Sequence, residues 1–423
     1  MPTIRERDSK VVWHPYTPMK TWPEAIAIVK GEGLYLIDED GKKYMDAISS
    51  WWVNLHGHAN QYIAQKVSEQ AAALEHCIFA GFTHEPAVRL AERLLHILPE
   101  GMEKIFYSDN GSTAVEVAIK MSLQYWSNKG VNKKKLVALQ HAYHGDTFGA
   151  MSVSERSIFT EAFKEQLFDV AFIPFPVIGN ERNSLDELER QLLTGDVAAL
   201  IVEPLVQGAS GMNMYSPEIL EGLFELCRKY NALIIADEVM TGFGRTGPLF
   251  ACGHISVSPD IVCLSKGLTG GAMPLGVTAC TKDVFNAFYD DDRMKMLYHG
   301  HSFTANPTIC AAALASLDLL LTDDCAASRL RIAASHAAFA SEIDGHRMVA
   351  AVRQTGTIIA LELMTHESSY HHSLRDTLYK FFLDKGIIMR PLGNIIYVLP
   401  PYCITNEQLQ YIYSCIRELL ETL

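Results

Sequence analysis

Three short segments carry side chains whose types and spacing suit one piece of chemistry. Asp237 and Glu238 follow the apolar run Leu233–Ala236, and Ser265 and Lys266 follow Ile261–Leu264. Ser108-Asp109-Asn110-Gly111-Ser112-Thr113 follows the run that ends at Tyr107. Each run has the length of a buried strand. In open α/β sheets ligands bind beyond the carboxyl ends of the strands. One sheet edge is therefore expected to collect a carboxylate, a lysine and a glycine-containing helix start. Asp237 and Lys266 are 29 residues apart, room for a strand, a connection and another strand. Singly, each feature is ordinary. A strand-end acid is commonly a loop residue, a lysine there is commonly solvated, and Gly-Ser-Thr is a common helix cap. The weight lies in their order on consecutive strand ends. Gly267, Gly270 and Gly271 would let a bulky ligand approach the backbone.

The chemistry these parts suit is that of pyridoxal 5'-phosphate. That cofactor needs a lysine to bond its aldehyde and a carboxylate to keep its pyridine nitrogen protonated. Its phosphate needs backbone N–H groups and the positive end of a helix dipole. A competing signal is Gly242-Phe243-Gly244-Arg245-Thr246-Gly247, which matches G-x-G-x-x-G and would support an NAD-dependent oxidoreductase. Its context fails. Pro248 follows at once, no helix opens, and Asp260 begins a strand where a ribose-binding acid should end one. The segment reads as a tight loop, with Arg245 as a partner for an anion or a carboxylate, Glu203 being one candidate.

The elements that must position these residues are legible from hydrophobic period. Short strands are expected at Lys104–Ser108, Leu136–Leu139, Ala198–Val202, Leu233–Ala236 and Ile261–Leu264. Between them lie helices, one from Ser112 with Val117, Met121 and Tyr125 on one face. Another starts at Ser216-Pro217-Glu218, with serine as cap and proline in the first turn. This alternation means an α/β fold with a mostly parallel sheet covered on both faces. Residues 33–48 read as a hairpin turning at Asp40-Gly41. After residue 320 come a strand Thr357–Leu363, a helix Ser373–Asp384, strands Gly386–Met389 and Ile395–Leu399, and a closing helix Thr405–Leu423. The expected division is a large α/β domain over 49–319 and a smaller α+β domain built from 1–48 and 320–423.

Bulk properties narrow the function classes. The chain has 423 residues, 48% hydrophobic and 20% charged, the range of a globular protein of two domains. A formal net charge of −13 and no basic run argue against nucleic-acid binding. No apolar stretch is long enough to span a bilayer and the N-terminus lacks a secretory core, so a cytoplasmic protein is expected. Nine scattered cysteines fit a reducing compartment. The repeats His56-Gly57-His58 and His299-Gly300-His301 lack acidic or thiol partners at ligand spacing, so no metal is expected.

The stretches NALIIADEVMTGFGRTG and PDIVCLSKGLTGG resemble the class III aminotransferases of pyridoxal-phosphate fold type I. Further segments narrow the resemblance: Trp13-His14-Pro15-Tyr16-Thr17-Pro18-Met19, Ser49-Ser50-Trp51-Trp52, HAYHGDTFGAMSV from His141, and MRPLGNIIYVLPPY from Met389. It runs from about residue 11 to the C-terminus. The resemblance implies a seven-stranded-type sheet and a homodimer with active sites at its interface. It implies that Lys266 bonds the cofactor, Asp237 faces the pyridine nitrogen, Gly111 and Ser112 bind the phosphate, and Tyr143 stacks on the ring. Ser302 would add a phosphate contact from the partner subunit. Tyr16, Trp51, Trp52 and Tyr143 would line the substrate pocket, with Tyr16 also a catalytic candidate. Arg390 would bind a remote carboxylate, with Tyr397 and Gly300 nearby. The implied reaction moves an amino group, with S-adenosylmethionine as donor, onto 8-amino-7-oxononanoate in biotin biosynthesis. Many members acting on 4-aminobutyrate or ornithine carry glutamine three residues after the aspartate; here that residue is Met240, which argues against those substrates and leaves another ω-amine as the alternative reading. The partner-loop pattern Gly-Pro-Thr is Gly300-His301-Ser302 here. Serine keeps the hydroxyl, and His301 has no assigned role.

Overall fold

Fully apolar runs build the central sheet. Val197–Val202 and Leu233–Asp237 are buried along their whole length, as strands covered on both faces must be. The computed structural model describes residues 2–21, 25–157, 159–364 and 374–423. It sets seven strands in the order Met102–Ser108, Gly276–Thr281, Ile261–Leu264, Leu233–Asp237, Val197–Val202, Lys135–Leu139 and Ala171–Ile173. All neighbours are parallel except around Gly276–Thr281, which runs antiparallel to both strands beside it. This is the mostly parallel α/β sheet expected. The antiparallel member was not anticipated, and it is what separates Met102–Ser108 from Ile261–Leu264.

Alternate residues of one strand feed opposite faces. Leu233 and Ile235 pack in one buried cluster with Val117, Met121 and Tyr125 of helix Gly111–Asn128. Ile234 and Ala236 pack in the other with Leu220, Leu223 and Phe224 of helix Pro217–Lys229. The period of two in the strand meets the period of 3.6 in each helix. Helix Pro217–Lys229 begins with proline as expected, but Ser216 makes no side-chain capping bond. Ser216 does hold the N-cap position, and the first turn rests on proline, which has no N–H to satisfy. The Gly242–Gly247 segment is a succession of turns, with Gly244 at φ 94° and Gly247 at φ 114°, and opens no helix.

Strands Tyr35–Asp38 and Lys43–Asp46 form the expected hairpin. Ile28–Glu32 extends it on one side, and Ile387–Ile388 pairs in parallel with Lys43–Asp46 on the other. The expected strand Gly386–Met389 is thus reduced to two paired residues. Val349–Thr355, Ile358–Leu363 and Ile395–Val398 form a separate antiparallel sheet. The closing helix spans Asn406–Thr422. The helix expected at Ser373–Asp384 is described from Leu374 to Asp384, and Ser373 lies outside the described residues. Arg390 follows the short strand Ile387–Ile388, and Tyr397 sits in the last strand.

Candidate active site

Lys266 is delivered by the end of strand Ile261–Leu264 in a left-handed backbone conformation, φ 44°. A non-glycine residue held there costs of order 1–3 kcal/mol, a strain characteristic of functional positions. Its Nζ lies 4.7 Å from the centre of the Trp52 ring. Burial brings the amine down to about 8, while the carboxylates of Asp237 and Glu203 pull the other way.

Asp237 closes strand Leu233–Asp237, one strand away in the sheet. Its Oδ2 lies 2.6 Å from His144 Nδ1, and its Oδ1 accepts the Val239 N–H at 3.1 Å. His144 is buried, held by its own N–H donating to Ser154 Oγ at 2.9 Å, and its Nε2 has no protein partner among the described residues. Sequence reasoning missed His144. The residue lies in the HAYHG stretch, but its partner is 93 residues away.

Helix Gly111–Asn128 starts beyond strand Met102–Ser108. Asn110 caps it through Thr113 N–H at 3.0 Å, and Thr113 Oγ1 accepts the Asn110 N–H at 2.9 Å. That cap leaves the first-turn N–H groups of Gly111 and Ser112 unspent. Asp146 N–H donates to Ser112 Oγ at 3.0 Å. A Cβ on Gly145, at φ 132°, would stand 1.9 Å from Ser112 Oγ, so the two backbones approach as only glycine permits.

These residues converge on a cavity of about 670 Å³ lined by Gly111, Ser112, Tyr143, Asp237, Lys266 and Trp52 among others. Glu203 also lines it. Its carboxylate accepts Tyr143 N–H at 2.9 Å and Gly208 N–H at 3.0 Å. Burial, with Asp237 adding to it, pushes its pKa up to about 7. Arg245 is not its partner, which corrects the expectation. The guanidinium is fully buried, donates to Pro400 O at 2.9 Å and Asn54 O at 3.1 Å, and lies over Tyr402. It ties the loop to the chain around the site, and no tight-loop pattern in sequence reveals which carbonyls it caps.

A second cavity, about 340 Å³ and more apolar in its lining, joins the first at Lys266, Trp52 and Tyr143. Tyr16, Trp51, Phe159, Ala209, Arg390 and Tyr397 line it. Tyr16 OH donates to Asp146 at 2.6 Å and its ring meets Trp51 edge-on. Trp52 Nε1 donates to Tyr397 OH at 3.0 Å. Arg390 lies 4.6 Å from the centre of the Trp51 ring, with no carboxylate against it among the described residues. The tryptophan pair is splayed by left-handed residues Ser49, Ser50 and Trp52, held by Asp46 accepting from Ser50 and Ile48 N–H groups. Trp52 is buried and Trp51 exposed; both line the second cavity, and Trp52 lines the first as well. Gly300 and Ser302 line neither cavity within one chain; they sit on the segment beside helix Gly111–Asn128, with Ser302 exposed.

The sequence model of the family "Aminotransferase class-III" matches residues 16–420. The chain is 47% identical to the adenosylmethionine-8-amino-7-oxononanoate aminotransferase of Synechococcus elongatus, over 97% of this chain and 98% of that one. It is 40% identical to the protein of the same name from Geobacter sulfurreducens, over 99% and 98%. Among solved structures, adenosylmethionine-8-amino-7-oxononanoate aminotransferase from Methanocaldococcus jannaschii superposes with a TM-score of 0.94 at 35% identity, covering 99% of this chain and 98% of that one. The omega transaminase of Pseudomonas jessenii in complex with PMP gives 0.93 at 26% identity, over 100% and 98%.

Proposed function

The chain belongs to the class-III aminotransferases, and on that premise we propose that it transfers an amino group from S-adenosylmethionine to 8-amino-7-oxononanoate, forming 7,8-diaminononanoate, with pyridoxal 5'-phosphate held at Lys266. The observation that carries this reading is the position of Lys266 at the junction of two cavities. One carries the carboxylates of Asp237 and Glu203 and ends at a helix N-terminus; the other is aromatic and ends at an arginine. The first suits a phosphorylated aromatic cofactor, the second a long apolar chain with a remote carboxylate.

The residues present fit the cofactor. Gly111 and Ser112 offer N–H groups at the helix start to its phosphate. The buried Asp237 carboxylate, oriented by His144, suits a protonated ring nitrogen. Tyr143 lines the cavity as a flat face for the ring. When bound, pyridoxal phosphate supplies an aldehyde that takes up the amino group and a ring that takes up an electron pair. Lys266, with its amine lowered to about 8, would take a proton from the amino-bearing carbon of the donor and deliver it to the carbon that had carried the cofactor's aldehyde oxygen, two bonds away. The two half-reactions use the same lysine in opposite senses. Trp51, Trp52 and Tyr16 cover the methylene chain and exclude water, Tyr16 also holding Asp146 by its hydroxyl. Arg390 forks onto the far carboxylate, with Tyr397 fixing Trp52 beside it.

The functional unit in this reading is a homodimer, in which Gly300 and Ser302 of one copy reach the other copy's site and Ser302 meets its phosphate. Exposed Phe82, Met294, Tyr298 and Phe303 suit such burial. Residues 49–319 would form the cofactor domain, and 1–48 with 320–423 the smaller one that carries Arg390. The free cysteines suit a reducing cytoplasm, and among the described residues no helix is long and apolar enough to cross a membrane. The test is the visible absorption of the purified protein with added 7,8-diaminononanoate, 4-aminobutyrate or ornithine. Loss of the lysine-bound cofactor's band with the diamine alone supports the proposal; loss with the other amines alone refutes the substrate and keeps the family.

A further inference from the structure

The segment Tyr298–Thr304 lies along the flank of helix Gly111–Asn128, fastened by side chains that the mechanism leaves unused. Lys120 Nζ lies 3.1 Å from His299 Nδ1 and 3.4 Å from Tyr298 O. His299 Nε2 and His301 Nε2 are 3.0 Å apart. His301 Nδ1 stands 3.4 Å from Asp109 Oδ2. An ammonium only donates, so His299 Nδ1 accepts and its proton sits on Nε2. That proton is given to His301 Nε2, which leaves the His301 proton on Nδ1, toward the carboxylate. Hydrogen bonds thus run from the Lys120 cation through His299 to His301, which turns its Nδ1 toward the Asp109 carboxylate. His301 N–H also donates to Thr304 Oγ1 at 3.0 Å, which turns the backbone. The rings face the helix, while Ser302 and Phe303 face outward. Asp109 directly precedes the Asn110–Ser112 turn.

We propose that His299 and His301 are positioning residues which, through Lys120 and Asp109, lock the segment so that Ser302 is presented to the phosphate bound by a second copy of this chain. The inference rests on the reading of Ser302 given above and assigns the role that the sequence leaves open for His301. The chain needs His299 neutral, because a protonated His299 would turn a second donor against the Lys120 ammonium. The charged groups facing it are Lys120, Asp109 and Glu116 from the helix and its approach; strand Met102–Ser108 contributes only the Phe106 ring. Burial, then Lys120 and His301, lower the His299 pKa, and Glu116 opposes them. A folded value below the usual 6.5 means that the lock is complete above 6.5 and weakens as pH falls beneath it.

The experiment measures the dissociation constant of pyridoxal phosphate by equilibrium dialysis of the full-length protein, with its oligomeric state followed by sedimentation. The variants are His301→Gln, His299→Gln, Ser302→Ala and the double variant His301→Gln/Ser302→Ala. The expected result is that His301→Gln and Ser302→Ala each weaken binding about 3–10-fold, the range of one net hydrogen bond. The double variant should be no worse than Ser302→Ala alone, a coupling that a merely structural role would not produce. From pH 8 to 5.5, wild type should lose more affinity than His299→Gln; titration of the phosphate and of Lys266 is common to both. Weakening by Ser302→Ala with His301→Gln silent, or additive losses in the double variant, overturns the inference alone. An unchanged constant for Ser302→Ala overturns the reading of Ser302 and the inference with it.

Discussion

Replacing Arg390 with alanine removes the cation from the apolar cavity that it shares with Lys266. The guanidinium lies over Trp51, a contact worth about 0.5–1 kcal/mol at a partly exposed site, which orients the fork before substrate arrives. Breaking a buried hydrogen-bonded charge pair costs about 2–5 kcal/mol. Arg390→Ala is therefore expected to lower kcat/KM for 8-amino-7-oxononanoate by about 30- to 5,000-fold, chiefly through KM. Arg390→Lys keeps the charge and loses the planar fork, so its loss should fall between those of wild type and alanine. The assay is steady-state kinetics on the keto-acid and on its methyl ester, which has no anion to bind. Wild type and Arg390→Ala should be nearly equal on the ester. An equal loss on acid and ester would refute the assignment and make Arg390 a support for Trp51 only.

Other predictions follow from the same geometry. Because only the neutral Lys266 amine attacks an aldehyde, the rate at which cofactor-free protein captures pyridoxal phosphate should rise with pH through about 8; a flat profile from 6.5 to 9 would contradict the burial argument. Glu203 has its folded pKa raised to about 7 from 4.5, so the fold loses stability as pH rises between those values, by about 3 kcal/mol in all. Glu203→Gln should flatten that slope in denaturant titrations, while setting an amide donor against Tyr143 N–H or Gly208 N–H and lowering the midpoint. Gly145→Ala places a Cβ onto Ser112 Oγ at a strained φ, costing of order 1–3 kcal/mol and weakening cofactor binding in an absorbance titration. Unchanged binding would show that Ser112 is free to move.

The strand-end rule made the centre of the site legible. Leu233–Ala236 and Ile261–Leu264 read as buried strands, and the sheet brings Asp237 and Lys266 to one edge with Gly111 and Ser112. Spatial order was not legible. Gly276–Thr281 inserts antiparallel between two strands that are distant in sequence, and no local period encodes which neighbours a strand will take. His144 and Arg245 escaped for the same reason. A histidine in the loop after a strand and an arginine in a glycine-rich loop have roles set by partners 93 and 155 residues away. Trp51 and Trp52 reach the same cavity, although adjacent residues ordinarily diverge, because a run of positive-φ residues turns the backbone between them above the Asp46 carboxylate. Ser216 shows the converse: a good cap residue in the right place makes no side-chain capping bond.

The central claim is that Lys266 bonds a pyridoxal cofactor in this chain. The direct test is to purify the protein, load it with pyridoxal phosphate, reduce it with borohydride and map the cofactor by peptide mass spectrometry. A single adduct on the peptide containing Lys266, absent from Lys266→Ala of unchanged circular dichroism, is the result expected. An adduct spread over surface lysines, or retained in the alanine variant, would contradict the account.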